Sequence, residues 1–121
     1  MAASSLDSWF DGKPEARATF DLLAAVIEGF GPSDVAVGSQ ISFGRRRKFA
    51  WFWLYNVTKK DPNGVPHLML ALDRPVDSDL VRSVEQIGKR RWNHQIVVRS
   101  DEVARSAELA DLLEEAYRYG A

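Results

Sequence analysis

The sequence contains no cysteine. That excludes a disulfide framework, thiolate zinc ligation and a cysteine nucleophile, and it fits a reducing compartment. Long apolar runs are missing too. The longest, Phe49 to Tyr55, is far too short for a bilayer, which takes about 20 apolar residues. Met1-Ala2-Ala3-Ser4-Ser5 carries no Lys or Arg and leads into no apolar segment, so no secretory signal is expected and the expected location is the cytoplasm. Histidine is scarce: His67 and His94 are the only two, and no His-x-x-x-His or other ligand spacing joins them into a metal site. Gly-x-Ser-x-Gly, the phosphate-binding loop and Gly-x-Gly-x-x-Gly are all absent, and Gly29-Phe30-Gly31 closes a helix where a dinucleotide fingerprint would open one. No catalytic residue, metal or cofactor is read from this chain.

Neither sign of charge dominates, since the formal net charge is −1. The total hides an uneven distribution: residues 1–43 carry −4, residues 44–99 carry +7 and residues 100–121 carry −4. A near-neutral protein with a basic middle does not exclude an anionic partner. With 121 residues, 45% hydrophobic, the chain is one domain's worth and can build a core without staples.

Residues 1–12 read as an N-terminal arm that Trp9 and Phe10 can dock, followed by a single domain over 13–121. Pro14 to Phe30 reads as a helix, with Ala16, Phe20, Leu23, Ile27 and Phe30 as its apolar stripe. Val35 to Phe43 reads as a strand bent near Gly38-Ser39. Arg45 to Lys48 forms a hairpin connection, and Phe49 to Val57 is an aromatic strand apolar on both faces. Lys59 to Gly64 is a turn with Asp-Pro and Asn-Gly signals, and His67 to Asp73 is the third strand of a meander. A short helix is expected over 79–87, capped by Ser78, with Leu80, Val84 and Ile87 inward. Trp92 to Arg99 reads as a fourth strand, and a last helix runs from a Ser100 or Asp101 cap to Tyr119. The expected class is α+β: an antiparallel sheet of about four strands with helices on one face, in the order α-β-β-β-α-β-α.

Several of these segments carry a resemblance. Trp9-Phe10-Asp11-Gly12-Lys13-Pro14-Glu15 opens a helix, and Ile41-Ser42-Phe43 is followed by an arginine-rich turn and Phe49-Ala50. Trp92-Asn93-His94-Gln95-Ile96 precedes an acidic cap and a closing Glu115-Ala116-Tyr117. Together they resemble the small bacterial domain of unknown function numbered 5655, found alone or at the end of so-called predicted transport proteins. The resemblance covers nearly the whole chain and implies a fold; it brings no catalytic residues and no activity.

Two features are candidates for contact with a partner. Arg45, Arg46, Arg47 and Lys48 precede aromatics directly, and Lys89, Arg90 and Arg91 precede Trp92. Cations beside stacking surfaces suit an anionic ligand, an acidic protein or single-stranded nucleic acid. Solvated loops that keep an aromatic strand from aggregating have the same composition. The second candidate is the aromatic surface of Trp51, Trp53 and Tyr55, with Trp92 and His94 on the fourth strand. Such rings are covered by a homodimer, by a ligand pocket, or by the protein's own core. The reading is a non-enzymatic binding or accessory domain, self-associating, with a basic rim beside an aromatic sheet face and no membrane contact. The alternatives are a small-molecule pocket or enzyme lined by Trp53, Tyr55, His67 and His94, and a purely structural domain.

Overall fold

The computed structural model describes residues 2–55 and 64–121, with side chains from residue 6 onward. In chain order the elements are α1 (Ala2–Trp9), α2 (Pro14–Phe30), β1 (Asp34–Val37), β2 (Ile41–Gly44), β3 (Lys48–Tyr55), β4 (Val65–Leu72), β5 (Val81–Gly88), β6 (Arg91–Val97), α3 (Asp101–Ala104) and α4 (Ala107–Tyr119). The class is α+β. The sheet has six strands rather than about four, in the order β1-β2-β3-β4-β6-β5, and every neighbouring pair is antiparallel.

The helix α2 begins at Pro14, where a missing N–H costs nothing, and buries Ala16, Phe20, Leu23 and Ile27. Each large side chain so buried stabilises the fold by about 1.5–3 kcal/mol. It ends at Gly31, whose φ of 146° suits glycine, and where a Cβ would lie 2.4 Å from the Tyr117 hydroxyl. That hydroxyl donates to the carbonyl of Pro32 at 3.0 Å and ties the end of α2 to α4.

Four expectations need correction. The strand over 35–43 is two strands, β1 and β2, because the chain turns back at Gly38 to Gln40, where the Gly38 N–H donates to the Gln40 carbonyl at 2.9 Å. The helix over 79–87 is the strand β5. Its ladder to β6 is irregular between Val81 and Ser83 and between Gln86 and Gly88, so Val81 opposes Ile96 and Val84 opposes His94. An inserted residue turns the period of two into a spacing of three, which imitates a helical stripe. Ser78 opens this strand instead of capping a helix: its hydroxyl accepts from the Leu80 N–H at 3.2 Å and donates to the Glu108 carboxylate. The last helix is broken at Arg105-Ser106. Ser100 caps α3 and Ser106 caps α4, each accepting from an N–H three residues on. Finally, the order α-β-β-β-α-β-α gives way to two helices, six strands and two helices.

The segment expected as an arm contains α1, and the buried Phe10 packs on Phe20 and Phe52. The aromatic strand is described as far as Tyr55; Asn56, Val57 and most of the Lys59–Gly64 turn lie outside the described residues.

Paired residues in a ladder point to the same side of a sheet. Ile41, Phe43, Phe52, Leu68, Leu70, Leu72 and Ile96 therefore share one face, and they form the buried core with Leu23 and Ile27 of α2 and Leu109 and Leu113 of α4. At the start of β3 the register shifts beside Gly44, and Phe49 packs edge-on against Tyr117 with ring centroids 5.7 Å apart. The helices lie on this face, and the core lies between them and the sheet.

Candidate functional site

The opposite face carries Trp51, Trp53 and Tyr55 on β3, His67 and Met69 on β4, and Asn93, Gln95 and Val97 on β6. Trp51, Trp53, Met69 and Val97 are half-buried and stand outside the core cluster. Tyr55 is 54% exposed. Trp53 and Tyr55 flank the ring of His67, each with centroids 5.4 Å from it. The imidazole is buried under them and held by a 3.0 Å hydrogen bond between Nδ1 and the Val65 carbonyl. Alternation along β3 sends Phe52 to the core and its neighbours to this face, and the aromatic content of β3 makes both sides apolar.

At one end of this face the Arg91 guanidinium lies 5.3 Å from the centre of the Trp51 ring. Its Nε donates to Asn93 Oδ1 at 3.2 Å, and on the same face the Ser83 hydroxyl donates to Gln95 Oε1 at 3.2 Å. Both amides thus have their oxygens occupied, and their NH2 groups have no partner among the described residues.

The two basic clusters meet at this end of the sheet. The β2–β3 connection lies against the C-terminus of α4, where carbonyls lack helical partners. The N–H groups of Arg46 and Arg47 both donate to the Gly120 carbonyl, at 2.8 and 2.9 Å. Arg45 stacks 4.0 Å from the Tyr117 ring centre and donates to the Tyr117 carbonyl, and Arg47 does the same with Tyr119 at 4.1 Å. These cations also suit the negative end of the helix dipole. Glycine is required at 120, since a Cβ there would lie 2.7 Å from Phe49 Cδ2 and 3.0 Å from the Arg47 carbonyl. Arg46, Lys48, Lys89 and Arg90 have no side-chain partner among the described residues. Arg47 and Arg90, 43 positions apart in the sequence, line one hollow of about 490 Å3 with Arg118, Tyr119, Asp73 and Glu115. Glu115 is held at 2.9 and 2.8 Å by both arms of Arg74.

The structure does not bring Trp92 and His94 to the rings of β3. They face the helices, opposite Leu72 and Leu70. His94 is buried; its Nε2 accepts from the Val76 N–H at 3.0 Å, and its Nδ1–H donates to the Trp92 carbonyl at 3.1 Å. Burial holds its pKa below the ordinary histidine value. Trp53, Tyr55 and His67 lie on one side of the sheet and His94 on the other, so the four do not line a common pocket. Met69, Asn93, Gln95 and Val97 also stand on the open face and are not among the residues the sequence singles out for contact. Their signal is alternation along β4 and β6, but which face is covered depends on strand pairing that the sequence does not show.

Among the described residues no group of His, Asp and Glu is arranged to hold a metal ion, and no helix is long and apolar enough to cross a membrane. No curated protein and no solved structure matches the chain. Residues 6–120 match the family described as "Domain of unknown function (DUF5655)", the family that the tryptophan-bearing motifs at both ends of the sequence resemble, and the chain belongs to it.

Proposed function

We propose that this domain is a non-enzymatic binding module of the cytoplasm. Its helix-free sheet face receives an anionic partner, drawn in by the basic end of the sheet. The observation that carries this reading is the row of Trp51, Trp53 and Tyr55 outside the core, with Arg91 stacked at its end. Apolar surface left open to water marks contact sites. Residues 44–99 carry +7 against −4 in each flanking segment, and the end where Arg45–Lys48 and Lys89–Arg91 meet supplies long-range attraction. At this end of the sheet Arg46, Lys48, Lys89 and Arg90 have no side-chain partner among the described residues. Titration of tryptophan emission with heparin, a generic polyanion, tests the reading. A saturable change that weakens with added salt is expected, and Arg46→Glu with Arg90→Glu should weaken it at least tenfold. No emission change at low salt would remove the proposal.

A second reading, self-association, is favoured by one feature. The outer edge of β5 has no strand partner among the described residues, and Val84 and Ile87 beside it are 39% and 48% exposed.

A further inference from the structure

Resting on the anionic-partner reading, we infer that the partner is single-stranded nucleic acid, with bases stacked on Trp51, Trp53 and Tyr55 and phosphates on Arg91 and the cations beside it. Alternate residues on a strand stand about 6.7 Å apart, so β3 sends three rings in a row to the face opposite the core, with Trp51 and Trp53 half-buried and Tyr55 54% exposed. A single strand, whose bases can be splayed out, offers a π-face to each ring. A duplex hides those faces, and an acidic polypeptide supplies charge without them. The Arg91 guanidinium over Trp51 places a phosphate-binding group beside the first stacking position. The unpartnered NH2 groups of Asn93 and Gln95 lie two strands away on the same face and can donate to base edges.

The test uses fluorescence anisotropy with four labelled probes on the full chain. They are a short oligothymidylate, an abasic oligomer of equal phosphate count, a duplex of equal length, and polyglutamate. Oligothymidylate should bind at least tenfold tighter than the other three and quench tryptophan emission. Trp51→Ala and Trp53→Ala should each lose about tenfold, and Trp51→Phe should restore most of the binding. If the abasic oligomer or polyglutamate binds as tightly as oligothymidylate, the nucleic-acid assignment falls and the anionic-partner reading stands. If no probe binds, both fall. Should an alanine variant fail to fold, as judged by its melting curve, the comparison of oligothymidylate with the abasic oligomer on the unaltered protein decides the matter alone.

Discussion

Burial and the bond from the Val76 N–H both favour the neutral form of His94, against the Trp92 carbonyl, which favours the charged one. Nε2 must keep its lone pair to accept from Val76, and the site is sealed from water. Protonation would bury a charge and break that bond, which is why the folded pKa lies below the ordinary value of about 6.5. The unfolded chain therefore binds a proton that the folded one does not. This linkage leaves stability undiminished above pH ~6.5 and lowers it progressively as pH falls through and below that value. Urea unfolding across this range should show the decline. His94→Phe should abolish this step while costing about 1–3 kcal/mol at neutral pH, since the Val76 N–H loses its partner. An unchanged decline in that variant would assign the effect elsewhere. That His94 shares a strand face with Trp92 was legible in the sequence. Its partner was not, because Val76 comes from a crossover whose path depends on strand order. The same holds for Arg45 and Arg47. Their charge is plain in the sequence, but the helix end that occupies them lies 72 positions away.

At the level of elements, β5 shows how a pattern can deceive. Leu80, Val84 and Ile87 follow a helical spacing, but Leu80 precedes the strand, and Val84 and Ile87 stand three apart because the ladder is irregular between Gln86 and Gly88. Strand order was illegible for a related reason. β4 and β5 follow each other in the chain, yet β6 lies between them, so residues 73–80 must travel back along the sheet. What could be read was local: the α2 stripe, the alternation of β3 and β4, and the cap at Ser100. The exposed outer edge of β5 carries the self-association reading. Sedimentation should show a reversible dimer at high protein concentration. Val84→Lys with Ile87→Lys should return it to monomer with little change in melting temperature, because neither side chain belongs to the core. A monomer at every concentration would rule the edge contact out.

On the scale of the whole molecule, acidic helices cover one side of a sheet whose connections carry most of the cations, gathered at the end where Arg45–Lys48 and Lys89–Arg91 meet. Such a body is a strong dipole despite its net charge of −1. At pH 7 the domain should be retained on both a sulfonate and a quaternary-amine resin, each matrix selecting one side, and modest salt should release it from either. Passage straight through the sulfonate column would show that the internal pairing of Arg45, Arg47 and Arg74 leaves too little positive field outside.

The one-sided cover of the sheet also bears on how freely this chain can vary. Trp51, Trp53, Tyr55, Met69 and Val97 contribute only cross-strand contacts, worth roughly 0.2–1 kcal/mol each. A library randomised at those five positions would mostly fold. The domain is in that sense a ready scaffold, on which one surface can be rewritten for new specificities while the interior stays as it is.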